Sequence, residues 1–367
     1  MRQYDLIDYL MAAVEHGSSD LHLTVGAPPT VRIGGVLRPL TETNLTSEDT
    51  RRLIVDVLKD AQRSQLEQNW QLDFAIQVDR VGRFRGNACY TLGNVEANFR
   101  FIAANVPELA GLGHSPIVDS WCNLRSGLIL VTGTSGSGKS TTLASMIQTI
   151  SLRRRSNIIS IEDPIEYVFN QGSSLINQRE VGTDTRSFAD GLRNALRQDA
   201  DVIVIGELRD EESIQIALTA AETGHLVVAT LHTTDAPGAI ARILDAYPME
   251  QQKFAGSQLA WALKGVVCQY LLPRSDQGGL VLATEIMQVN TGIEACIRDR
   301  RLSQIPGLMQ IGAADGMHTI DDSLTQLVLA DRIGLQDAMS HARDPSFVKE
   351  QFQEALQARK AGWFNKK

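Results

Sequence analysis

Hydrophobic residues in the first hundred positions recur at two spacings. Leu6, Tyr9, Leu10, Ala13 and Val14 share one face of a 3.6-residue period, which predicts an amphipathic helix ended by Gly17. From Asp20 the period drops to two. Leu21, Leu23 and Val25 alternate with polar residues, as in a strand with one buried face. Val31 to Ile33 and Val36 to Arg38 flank Gly34 and Gly35 and predict a hairpin. Thr46 and Asp49 mark a capping-box start to a helix carrying Leu53, Ile54, Val57 and Leu58. Further strands are expected over 73–78, 83–90 and 96–102. Residues 1–105 thus form one α+β domain, and the Gly- and Pro-containing stretch 106–123, with little periodicity, suits an interdomain linker.

Beyond residue 124 the pattern changes to unbroken apolar runs: Gly127 to Thr132, Asn157 to Ile161, Asp201 to Ile205 and Leu226 to Ala229, separated by segments of helical period. Strands buried on both faces read this way, so residues 124–367 are expected to fold as an α/β domain with a mostly parallel sheet. After Pro248 the pattern is mainly helical, with one strand near 280–289.

Composition narrows the class. A chain of 367 residues, 43% hydrophobic and 21% charged, exceeds the usual size of one core. No apolar run reaches the length of a membrane span, so no membrane insertion is expected. The start, Met1 to Asp5, lacks the layout of a signal peptide, and a cytoplasmic location is expected. Net charge is −8, from 35 Lys and Arg against 43 Asp and Glu, which disfavours nucleic acid as the partner. Cys89, Cys122, Cys268 and Cys296 form no CxxC pair, so reduced, mostly buried thiols are expected.

The chemistry sits in the second domain. Gly133, Thr134, Ser135, Gly136, Ser137, Gly138, Lys139 and Ser140, followed by Thr141, complete the pattern G-x-x-x-x-G-K-[ST] between an expected strand and an expected helix. Glycines let backbone N–H groups converge on phosphate, and the helix turns its positive end to the same point. Lys139 would neutralise the β- and γ-phosphates of ATP, and Ser140 would supply a Mg²⁺ ligand. Val202 to Ile205 runs into Gly206 and Glu207, a Walker B strand in which glycine takes the usual aspartate position. Glu207 would therefore reach Mg²⁺ directly or through water. Glu162, Asp163 and Glu166 follow another expected strand, and one of them would activate water. His225 and His232 bracket the strand 226–230; His232 is the expected γ-phosphate sensor.

These pieces in this order resemble the secretion-type ATPase superfamily of type II and type IV secretion and type IV pilus motors. Asn177 to Val181, Ala217 to Leu226, Thr230 to Thr234, Ser19 to Leu23 and Arg83 to Arg85 resemble, more sharply, the PilT family of pilus retraction ATPases. Ile293 to Asp299 is similar to that family's retraction-linked C-terminal segment, with departures at Glu294, Ala295 and Cys296. The resemblance implies a homohexameric ring of subunits with an N-terminal PAS-like domain and a RecA-like ATPase domain with a helical C-terminal part. It further implies Glu166 as catalytic base, Glu207 as the Mg²⁺-associated glutamate, and Arg83, Arg85 and Arg100 as arginines that approach the nucleotide. The implied partner is a PilC-like platform protein of the inner membrane, at whose cytoplasmic face the ring works, with a second retraction ATPase as a further associate. An accessory PilU-like motor, a type II or type IV assembly ATPase and a non-hydrolysing ring subunit are the alternatives.

Overall fold

The computed structural model describes residues 4–79, 81–102, 105–169, 171–276 and 278–364. The chain divides into two units. One comprises residues 1–105 with 166–168; the other comprises 106–165 with 169–367.

The first unit is built on six strands: β1 (Asp20–Leu23), β2 (Thr30–Ile33), β3 (Val36–Pro39), β4 (Gln71–Val78), β5 (Gly82–Thr91) and β6 (Asn94–Ile102). Their order is β3-β2-β1-β6-β5-β4, and every neighbouring pair is antiparallel. Leu21, Leu23, Phe74, Phe84 and Phe99 point to one face and meet Leu6, Leu10 and Ile54 from the helices Leu6–Glu15 and Ser47–Val55. Both helices start with a capping box, on Asp5 with Asp8 and on Thr46 with Asp49. A third helix, Asp60–Asn69, was not expected. It buries only Leu66 and so has almost no apolar stripe to read.

The second unit holds seven strands: β7 (Gly127–Gly133), β8 (Asn157–Glu162), β9 (Leu175–Glu180), β10 (Val202–Ile205), β11 (Leu226–Leu231), β12 (Leu263–Pro273) and β13 (Leu280–Gln288). Their order is β13-β12-β7-β11-β10-β8-β9. All neighbouring pairs are parallel except β12 with β13. β7, β10 and β11 are buried along their whole length. Helices cover the sheet, among them Lys139–Arg153, Glu211–Glu222, Ala236–Asp245 and Gln252–Ala262.

Two features correct the expected organisation. β12 lies where helix was expected. The helix Gln252–Ala262 passes into it at Leu263 with no turn residue between, and a strand paired on both sides and largely buried shows no alternating pattern to read. The stretch 106–123, expected as a linker, carries a 3₁₀ turn at Leu109–Leu112 and the helix Pro116–Trp121, and groups with the second unit. Val118, Trp121 and Cys122 are buried there, and Gly265 of β12 leaves room for the Trp121 ring. Among the described residues no helix is long and apolar enough to cross a membrane.

Candidate nucleotide site

In a parallel sheet the C-terminal strand ends gather on one edge, where α/β folds bind ligands. β7 ends at Gly133 and passes through the glycine-rich loop into the helix Lys139–Arg153. Gly133 holds φ +144°, and a side chain there would collide with Ser137 Oγ and the Gln269 carbonyl. Gly138, at φ +88°, is the N-cap and provides no side-chain cap, so the first N–H groups of the helix are not spent on one. Ser137 Oγ is buried with no hydrogen-bond partner among the described residues. Lys139 is buried, and its Nζ donates to the carbonyls of Gly133 at 2.9 Å and Thr134 at 2.8 Å. Ser140, half-buried, and Thr141 follow in the first helical turn. The loop is thus glycine-shaped and amide-rich, with the Lys139 cation held against its carbonyls, which suits a polyphosphate.

β10 and β11 bring the next residues to the same edge. Gly206 N–H donates to the Ile161 carbonyl at 2.8 Å, and a Cβ at 206 would press on the Glu162 and Ile161 backbone. This close approach to β8 accounts for glycine in place of the usual aspartate. Thr230 Oγ1 donates to the Gly206 carbonyl, and Leu208 N–H donates to the Thr230 carbonyl at 3.0 Å, so the two strand ends are joined. Glu207, largely buried, has both carboxylate oxygens engaged. Oε1 lies 3.2 Å from His232 Nε2, and Oε2 accepts from Arg209 Nε at 2.7 Å. Arg209 also lies 3.8 Å from Asp163 Oδ2. Sequence reasoning missed Arg209, although its place two residues after Glu207 is a visible signal.

The three carboxylates after β8 separate. Glu162 is buried and accepts from Ser160 Oγ at 2.7 Å and Gln178 Nε2 at 3.2 Å. Asp163 is exposed beside the cis Asp163–Pro164 bond. Glu166 is exposed and lies in the 166–168 stretch that groups with the first unit. His225, at the opposite end of β11, caps a helix end through the Ala220 carbonyl at 3.0 Å and takes no part in the site.

A second polar network stands behind the loop. Thr142 Oγ1 accepts from Gln269 Nε2 at 2.9 Å and lies 2.9 Å from His114 Nε2. Burial pushes the His114 imidazole down to about 4, so it is neutral at pH 7.

The arginines of the first unit lie on the polar face of its sheet. Arg85 and Arg100 are direct cross-strand partners, and Arg83 lies two residues from Arg85 on the same face. Like charges so placed repel. Arg85 and Arg100 each have an aspartate: Arg85 lies 3.6 Å from Asp73, and Arg100 Nε donates to Asp20 at 2.8 Å. Burial alone would raise the Asp20 carboxyl, but hydrogen bonds from Ser19 and Arg100 hold it below its ordinary range.

Comparison with known proteins agrees with this fold. Residues 4–328 match the family described as Type II/IV secretion system protein, and the chain belongs to that family of ATPases. It is 40% identical over 341 residues to the type IV pilus retraction ATPase PilT of Pseudomonas aeruginosa, covering 93% of this chain and 99% of that one. It is 41% identical over 316 residues to the twitching motility protein of Neisseria gonorrhoeae, covering 86% of this chain and 84% of that one. A crystal structure of the pilus retraction motor PilT with bound ADP superimposes with a TM-score of 0.88 at 47% identity, covering 94% of this chain and 98% of that one. Within the family, the chain is a PilT-type pilus retraction ATPase.

Proposed function

We propose that this chain hydrolyses ATP at the β7–β10–β11 edge and uses the energy to withdraw a type IV pilus. The observation that carries the reading is the Glu207 carboxylate, held by His232 and Arg209 at the sheet edge that carries the phosphate loop. Lys139 leaves the loop carbonyls for the β- and γ-phosphates, and the loop amides bind their oxygens. His232 reads the γ-phosphate. Glu166 is the proposed base for the attacking water. Mg²⁺ would supply charge neutralisation of the phosphates when bound, and Ser140 and Glu207 are the residues that would hold it.

In the same reading the first unit is a PAS-like domain, the second a RecA-like one, and six copies form a ring. Arg83, Arg85 and Arg100 brace the γ-phosphate in the assembled ring, so that the triphosphate and diphosphate states favour different arrangements. The ring works at the cytoplasmic face of the inner membrane against a PilC-like platform protein. A 39% identity to the type IV pilus ATPase PilU of Pseudomonas aeruginosa, over 91% of this chain, favours a second reading as an accessory retraction motor.

The test is deletion of the gene, complemented by wild type and by Glu166→Gln. Retraction predicts hyperpiliated cells without twitching, rescued only by wild type. Loss of pili would point to an assembly motor, and unaffected pili and motility would refute the pilus role.

A further inference from the structure

The turn after β11 is held at both ends. His232 meets Glu207 at one end. At the other end Thr234 and Asp235 are gripped by residues from much later in the chain. Tyr270 Oη donates to the Thr234 carbonyl at 3.0 Å. Asp235 Oδ1 accepts from Gly238 N–H at 2.5 Å and caps the helix Ala236–Asp245, while Oδ2 lies 3.0 Å from Arg343 Nη2. The same Nη2 lies 3.3 Å from Glu285 Oε1, which also accepts from Ala236 N–H at 2.8 Å.

Glu285, in β13, is fully buried, and Arg343 is the guanidinium placed against it. One guanidinium thus faces both Asp235 and Glu285, which fixes its position between them. Arg343 is itself fixed from behind. Its backbone N–H and that of Asp344 donate to the Asp321 carboxylate at 2.8 and 3.1 Å. Asp321 lies in the first turn of the helix Ile320–Leu329, and the helix Pro345–Phe364 starts just after Asp344. Val348 and Phe347 pack with Leu324 and Val328 in one apolar cluster. The C-terminal helices therefore cannot shift without moving Arg343, and Arg343 cannot move without loosening Asp235, three residues from His232.

We propose that Arg343 is a positioning residue for hydrolysis: through Asp235 and Glu285 it ties the C-terminal helices to the turn that sets His232 on Glu207. The inference rests on the reading that His232 senses the γ-phosphate. Arg343 is engaged with Asp235 and Glu285 rather than with the phosphate loop, so its loss is expected to act on turnover and not on the binding of ADP.

The test compares full-length wild type, Arg343→Ala, Arg343→Lys, His232→Ala and the double variant by steady-state phosphate release and by ADP titration. Arg343→Ala is expected to lose about tenfold in kcat with KM for ATP and ADP affinity within about twofold. Arg343→Lys, which keeps a cation and guards against a simple failure to fold, recovers most of the rate. The double variant is no slower than His232→Ala alone, because the two residues act in series. Wild-type rates in Arg343→Ala beside a slow His232→Ala overturn the proposal and leave the His232 reading standing. Losses that multiply in the double variant overturn it as well. Wild-type rates in His232→Ala overturn the γ-phosphate reading itself, and the proposal with it.

Discussion

His232 Nε2 lies 3.2 Å from Glu207 Oε1, a contact that joins the ends of two neighbouring parallel strands. Neither side chain is fixed by its own strand alone. Glu207 is held on its other oxygen by Arg209, so its negative charge is shared between an arginine and an imidazole. In Glu207→Gln one of these oxygens becomes an NH₂ that meets a donor. Hydrolysis is expected to fall about a hundredfold while ADP binding stays within about threefold, because the lost interaction matters most as charge develops on the transferred phosphoryl. Phosphate release and ADP titration on the same preparation check this, and undiminished turnover would remove Glu207 from the machinery.

Gly133 offers a test of the loop apart from its charge. Its φ of +144° and the crowding from Ser137 and the Gln269 carbonyl leave no place for a methyl group. Gly133→Ala is expected to cost about 1–3 kcal/mol of stability through strain and to weaken nucleotide binding at least tenfold. Lys139→Ala is expected to abolish phosphate release with a smaller thermal effect. Urea unfolding and nucleotide titration separate the two. Nucleotide binding at wild-type strength in Gly133→Ala would show that the loop tolerates another conformation.

How far the sequence carries depends on how local the signal is. The phosphate loop and Glu207 are legible because each is a contiguous run between a buried strand and a helix. The strands of the first unit are legible because one face is solvated and the period of two survives. β12 is not, because a strand covered on both sides has no period and follows a helix without punctuation. β9 is an edge strand of mixed polarity and entered only as part of a family pattern. The separate fates of Glu162, Asp163 and Glu166 depend on which oxygens Ser160, Gln178 and Arg209 reach. The Arg343 to Glu285 and Asp235 contacts join distant parts of the chain, and no spacing rule reports them.

The cysteines give a readout of the second unit's integrity. Burial pushes the Cys122 thiol up to about 12, with Asp119 adding to the rise, and complete burial with Glu285 nearby raises the Cys268 thiol as well. Thiolate is the reactive form, so both should be inert in the folded protein. Cys296 is buried as well, whereas Cys89 lies half-exposed on the first unit. Reaction with an aromatic disulfide reagent is expected to label Cys89 at once and the other three only in denaturant. Prompt labelling of Cys122 in the native protein would mean that the 106–123 stretch opens readily.

Glu285 sets a pH dependence whose sign is opposite to that of an ordinary ion-paired carboxylate. Burial pushes its carboxyl from 4.5 up to about 7, with Asp321 and Asp322 adding to the rise and backbone hydrogen bonds from Ala236 and Ile320 opposing it. Between these values the folded protein holds a proton that the unfolded chain has released. The stability contributed by this group is therefore complete below the unfolded value and lost as pH rises through about 7, at no more than about 1.4 kcal/mol per pH unit. Glu285→Gln cannot ionise and keeps a side chain of the same size. Its unfolding free energy is expected to be flatter than wild type between about pH 5 and pH 7.5, with the two curves separating most where Glu285 titrates. Urea unfolding at a series of pH values measures the difference. Parallel curves would mean that Glu285 keeps one protonation state throughout, with the Arg343 guanidinium holding it ionised in the folded protein.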